Sequence, residues 1–228
     1  MNDSPAITIA DVVQWLHDDG LARLAGIASA RSNPLVAYTV EVQTGTVTAF
    51  PVSASDAGSN ALTLAVDDLP EPADTPRRLV AVGVTTAESV LVVDLAVANT
   101  VAINGDQPQS SARAWALQLL LNPEITLTTN CAYLAIAGQP RLRHTFIPGG
   151  RTIVTVDDSR PPITSIILNH SENLTDHLDL GVDGTAEMYL GSRFWKLRSV
   201  LRMHDETWTE LVAGMTVTRH PEHVMEGD

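Results

Sequence analysis

One junction in this chain has the layout that phosphate chemistry requires. Val101-Ala102-Ile103-Asn104 reads as a strand, Gly105-Asp106-Gln107-Pro108 as a turn, and Ser110 to Leu121 as an Ala/Leu-rich helix. Free N–H groups and the dipole at a helix N-terminus favour an anion there. A phosphate-cradling loop is written G-x-x-x-x-G-K-[ST]. Setting Gly105 on its first glycine puts Ser110, Ser111 and Ala112 where Gly, Lys and Ser/Thr belong. The lysine that reaches the β- and γ-phosphates and the hydroxyl that holds Mg²⁺ are both missing, which excludes ATP hydrolysis by that mechanism. Any residual ligand binding here rests on Gly105, Asp106, Gln107 and Arg113. Asp106 opposes an incoming phosphate, so a plain strand-to-helix turn capped by Gln107 and Ser110 is the preferred reading.

A second group, His170, Glu172, Asp176 and His177, follows an apolar run at Ile163 to Leu168. All are ligand types for zinc or manganese. Their spacing matches neither H-E-x-x-H nor another established ligand pattern, so solvated loop residues account for them better and no metal is expected. Ile153 to Asp158 imitates a Mg²⁺-binding strand end but has no phosphate loop to serve. His220-Pro221-Glu222-His223 reads as a tail.

The basic, aromatic segment from Arg193 to His204 contains Arg193, Lys196, Arg198 and Arg202. Charge and stacking there could hold an anionic ligand or nucleic acid. In an acidic chain, pairing with the protein's own carboxylates is preferred, with Trp195 and Leu197 packed inward, and the exposed part left for a protein partner. Nucleophilic catalysis has no support. There is no G-x-S-x-G elbow, and Cys131 sits in an apolar stretch with nothing to lower its pKa. No catalytic residues and no cofactor are expected.

Several elements must position these residues. Thr8 to Ala30 has helical spacing, capped by Thr8 with Asp11 in the first turn, and Gly20 is placed to break it in two. Asn33-Pro34 ends it. Val36–Gln43 and Thr46–Ser53 flank Thr44-Gly45 as a hairpin, and Ala61–Val66 adds a third strand. Asp67 to Pro76 is rich in proline and acid and reads as an exposed loop or linker. Strands follow at Leu79–Val84, Val90–Leu95 and Thr100–Asn104. After the helix at Ser110–Leu121, further strands are expected at Cys131–Ala137 and Thr152–Val156. Ile163–Leu168 is apolar enough for a strand buried on both faces. His177–Val182 and Thr185–Leu190 flank Asp183-Gly184, a hairpin turn. Glu206–Ala213 is a short helix, and the tail from Thr218 is polar. The fold class is mixed α/β, with a partly parallel central sheet, an N-terminal helix and β-hairpins. The expected division is a helix and hairpin region over 1–70, an α/β core over 71–217 and a tail over 218–228.

The chain has 228 residues with 14 basic against 27 acidic side chains, a formal charge of −13. That field opposes nucleic-acid phosphates and anionic membrane surfaces. The single cysteine excludes an internal disulfide and any Cys-rich zinc site. No apolar run approaches the roughly 20 residues that span a bilayer. No signal peptide is visible, so a soluble, cytoplasmic protein is expected. Lys196 is the only lysine, a bias typical of high-GC actinobacterial coding.

Val82-Gly83, Leu91-Val92-Val93-Asp94-Leu95, Val101 to Asp106 and the helix to Asn122-Pro123 together resemble a soluble module of actinobacterial membrane proteins. Those proteins also carry a LysM or a bacterial transcriptional activator domain. The module is similar in turn to a degenerate P-loop domain of the FtsK/SpoIIIE type. The likeness extends to the opening helix, the hairpin at Val36 to Val52 and the ending at Leu178 to Leu190. The transmembrane and LysM parts have no counterpart in this chain. The resemblance implies an accessory or interaction role and supplies no catalytic residues. The expected function is therefore a non-catalytic scaffold or partner-binding domain of an actinobacterial assembly, with a decayed nucleotide loop. Its acidic surface suits a partner with basic patches. The alternatives are a metal-dependent enzyme or binder using the 170–177 loop, and a structural protein of a virion-type assembly.

Overall fold

The computed structural model describes residues 7–52, 61–73, 78–136, 138–147, 151–157, 163–170 and 174–217, the last four of them by backbone alone. Helix α1 (Ile9–Trp15) opens on a capping box: Thr8 N–H donates to Asp11 Oδ2 at 2.8 Å, and Asp11 N–H donates to Thr8 Oγ1 at 3.3 Å. Gly20 does not break the segment. The helix widens into a π turn over Leu16–Gly20 and continues as α2 (Leu21–Ser29). A Cβ on Gly20 would stand 2.8 Å from the Trp15 ring, so glycine makes room for the indole rather than a bend.

Among the described residues, thirteen strands form one sheet in the order β3-β2-β1-β5-β4-β13-β12-β11-β6-β10-β9-β7-β8. The first half holds β1 (Leu35–Glu41), β2 (Val47–Pro51), β3 (Leu62–Leu64), β4 (Leu79–Thr85) and β5 (Ser89–Asp94). These strands pair antiparallel, and β1 joins β5 along Ala37 to Glu41. In the second half, β6 (Thr100–Gly105) lies parallel to both β10 (Thr164–Leu168) and β11 (His177–Leu180). Outside them run β9 (Thr152–Asp157), β7 (Thr126–Thr129) and β8 (Leu142–His144). The sheet is thus mixed and partly parallel.

β12 (Ala186–Leu190) and β13 (Arg193–Val200) connect the halves. Phe50 on β2 meets Trp195 on β13 edge-on, ring centroids 5.4 Å apart. Three strands lie between them, a flat separation of about 19 Å at the usual strand spacing. The sheet must therefore curl strongly there.

Helices complete two cores. α1 and α2 cover one face of the first half, packing Leu16, Leu24 and Ile27 on Tyr38, Val40, Leu79 and Val92. On the opposite face α3 (Pro108–Leu121) buries Trp115, Ala116 and Leu119 against Val80, Val93, Ile103 and Leu178, and α4 (Asp205–Val217) adds Trp208. Arg141 ends α3: its guanidinium donates to Leu120 O at 2.8 Å and Asn122 O at 2.6 Å, satisfying carbonyls that a helix end leaves open.

Several expectations are corrected. Cys131–Ala137 is not a strand. Thr129 Oγ1 takes the Cys131 N–H at 3.0 Å and a short 3₁₀ turn follows at Ala132–Leu134, while Ala137 lies outside the described residues. The real strand precedes it at Thr126–Thr129. Of the 67–76 stretch, the described residues 67–73 begin in a 3₁₀ turn (Val66–Asp68) and continue as a loop that is partly tied down: Leu69 is buried and Ala73 N–H donates to Ala22 O of α2 at 3.0 Å. Residues 74–77 and the tail from 218 lie outside the described residues.

Candidate functional site

The Gly105–Arg113 junction is a tight structural turn. Only Asp106 and Gln107 separate β6 from α3, and Pro108 already occupies the first helical turn, where its missing N–H costs nothing. Residues 108–112 therefore wind into helix, where a phosphate-cradling loop would hold them open. Gly105 has φ +93°, and a Cβ there would meet Leu180 O at 2.2 Å. Glycine is required by the close approach of β11. Gln107 adopts a left-handed backbone and makes no side-chain cap. The capping runs the other way, with Ser110 N–H and Oγ donating to Gln107 O at 2.9 and 2.8 Å.

The polar groups around the turn bind one another. Asp106 N–H donates to Leu180 O at 3.2 Å, and its carboxylate lies 3.6 Å from Arg202, which donates to Gly181 O at 3.2 Å. Arg113, 4% exposed, donates to Tyr133 O at 2.9 Å, pairs with Asp205 and lies over the Trp208 ring at 5.8 Å. It bolts α3 to the 3₁₀ turn and to α4.

His170, Asp176 and His177 are likewise engaged. His170 N–H donates to Asn104 Oδ1 at 2.9 Å, and Gly105 N–H donates to Asn169 Oδ1 at 3.2 Å, which stitches the ends of β6 and β10 together. Asp176 Oδ1 accepts the Gly191 N–H at 2.7 Å. His177 Nδ1 lies 2.6 Å from Leu174 O. Glu172 and Asp158 lie outside the described residues, and among the described residues no three His, Cys, Asp or Glu side chains converge as metal ligands. Cys131 is buried, and burial pushes its thiol above the ordinary value, against nucleophilic use.

The basic segment is split by strand alternation in β13. Arg193 points to the inner side with Trp195, donating to Pro51 O at 2.9 Å and lying over the Phe50 ring at 5.3 Å. Phe194, Lys196 and Arg198 lie on the opposite, exposed side. Lys196 is 3.9 Å from Glu187, and Arg198 is 2.6 Å from Glu88. Arg202, beyond the strand, belongs to the Asp106 turn.

That exposed side carries a ladder the sequence reading did not single out. His177, Tyr189 and Phe194 are register partners on β11, β12 and β13. The first two rings stack at 4.4 Å and the next two at 4.9 Å. Ring faces turned to each other present edges outward, so this is no platform for stacking bases. Tyr189 donates to Glu187 Oε2 at 2.8 Å, and that carboxylate raises the phenol's pKa. The period-2 alternation of polar or aromatic residues with Leu178, Leu180, Met188, Leu190 and Leu197 was the available signal.

No protein-family model, curated protein or solved structure matches this chain. No helix of the described residues is long and apolar enough to cross a membrane.

Proposed function

We propose that this chain is a non-catalytic, partner-binding α/β domain that presents the open face of β11, β12 and β13 to another protein. The observation that carries the reading is the His177–Tyr189–Phe194 ladder beside Asp179, Glu187, Lys196 and Arg198. Aromatic groups and arginine ringed by charge are the composition from which binding hot spots are drawn. Phe194 keeps 44% of its surface exposed within this ladder. The polar residues Asp106, Arg113, Asp176 and His177 are engaged in contacts within the fold. A charge of −13 steers toward a partner with a basic patch. The single lysine among its basic residues supports placement in an actinobacterial assembly.

Photo-crosslinking from position 194, in extract of the source cells, tests the reading. A basic protein should be captured there and not from position 182, a more exposed site in the β11–β12 turn. Excess wild-type protein should compete, and a Tyr189→Ala/Phe194→Ala variant should not. Equal capture from both positions, or competition by the variant, would overturn the proposal.

A further inference from the structure

Among the described residues, no strand pairs with the start of β4 on the side away from β5. β13 pairs with β4 only at Gly83 to Thr85, and Leu201 N–H extends the contact to Val82 O at 2.9 Å. Beyond that point the side chain of Gln118, from α3, takes over the ladder. Its Oε1 accepts the Ala81 N–H at 2.7 Å and its Nε2 donates to Ala81 O at 3.0 Å.

Leu79, two residues earlier, points its peptide groups the same way. Leu95 N–H donates to Arg78 O at 2.9 Å, so Arg78 and Leu95 form a hydrogen-bonded pair toward β5. In an antiparallel pair such positions alternate, which turns the N–H and C=O of Leu79 and Ala81 away from β5. Among the described residues, no group does for Leu79 what Gln118 does for Ala81. Buried peptide groups almost always find a partner, and Leu79 is 4% exposed.

Leu79 lines a cleft of about 440 Å³ between α2 and the C-terminal end of α3. That volume lies within the range of about 300–1,000 Å³ typical of small-molecule sites. Leu21, Ala22, Ala25, Leu119 and Ile125 supply apolar walls, with His17 from the π turn also lining the cleft. Helical π turns recur at functional sites.

We infer that this cleft binds a small apolar molecule bearing one carboxamide, which pairs with the Leu79 backbone as the Gln118 amide pairs with Ala81. The chemistry selects this class. Leu79 offers one donor and one acceptor side by side, which a carboxamide answers with both groups. An ester or ketone has no donor for Leu79 O, and an ammonium has no acceptor for Leu79 N–H. A carboxylate has no donor either and enters against the charge of −13. Since Gln118 occupies the next rung at Ala81, an extended peptide cannot continue along the edge in that direction, which favours a compact ligand. This site is separate from the β11–β13 face and does not rest on the partner-binding reading.

The test is an amide-resolved NMR titration of the full chain with hexanamide, beside methyl hexanoate and a blocked tri-leucine peptide. Hexanamide should move the Leu79 N–H resonance downfield in a saturable way, and methyl hexanoate should bind at least about fivefold more weakly, given a hydrogen bond's usual worth. Ala22→Leu, on the half-buried side of α2, should keep a dispersed native spectrum and lose hexanamide binding. Four results would overturn the inference: no saturable shift at Leu79, equal binding of the ester, undiminished binding by the Ala22→Leu variant, or tighter binding of the peptide.

Discussion

Gln118 stands in for a strand beside Ala81. Its single side-chain amide accepts from the Ala81 N–H at 2.7 Å and donates to the Ala81 carbonyl at 3.0 Å, the exchange a neighbouring residue of β13 would otherwise provide. The same Nε2 lies 3.2 Å from Ala114 O, one turn back on α3. One side chain therefore docks α3 on the sheet and closes the sheet's edge at that point.

Replacing it should be costly. Gln118→Leu keeps the volume and leaves a peptide N–H and C=O without partners, each worth about 1–3 kcal/mol when buried. We expect a loss of about 2–4 kcal/mol in urea unfolding, with the Ala81 amide exchanging hydrogen much faster. A loss below about 1 kcal/mol would mean that water replaces the amide at no real cost.

Gly105 and Gly184 both have positive φ, +93° and +85°, but only Gly105 has a neighbour in the space of a Cβ. Gly184→Ala should cost about 1 kcal/mol, the price of the backbone conformation alone. Gly105→Ala must also displace the Leu180 carbonyl, so about 3 kcal/mol or more is expected. Thermal unfolding of the two variants side by side measures the difference. Equal losses would show that the β6–β11 approach is looser than the structure has it.

His17 links stability to pH. Partial desolvation beside the cleft lowers its pKa from the ordinary 6.5, although the residue as a whole is exposed, and this outweighs the opposing pull of Asp18. The unfolded chain then binds the proton at a higher pH than the folded one does. Stability from this group is complete above about pH 6.5 and is lost as pH falls toward the depressed folded value. Wild type should lose stability between pH 7 and pH 5 relative to His17→Gln, measured by urea midpoints. The opposite slope would mean that Asp18 dominates.

Local signals were legible where chemistry between near neighbours decides the structure. Thr8 and Asp11 announce a helix start, and their capping box forms. The Asp183-Gly184 hairpin forms as well, with Asp183 Oδ1 accepting the Thr185 N–H at 3.0 Å. The short apolar segments Leu79–Val84, Val90–Leu95 and Thr100–Asn104 predict strands that exist within a residue or two. Cys131–Ala137 misled because an apolar run fits a strand or a buried turn equally, and a Thr129 hydroxyl settled it. The charge of the Arg193 to His204 segment stands out in the sequence, yet the strand Arg193–Val200 is what sends Arg193 inward and Lys196 outward.

Composition, charge and motif spacing were enough to exclude standard P-loop ATP hydrolysis and to establish a mixed α/β chain, because missing residue types and short-range periodicity do not depend on tertiary contacts. The strand order, the curl that brings Phe50 to Trp195, the aromatic ladder on β11 to β13 and the Gln118–Ala81 rung were decided only by the tertiary structure. Each joins residues dozens of positions apart, or depends on which face of a strand a neighbour covers. Pairing across such distances follows from the packing of the whole sheet, and no local stretch of sequence carries it.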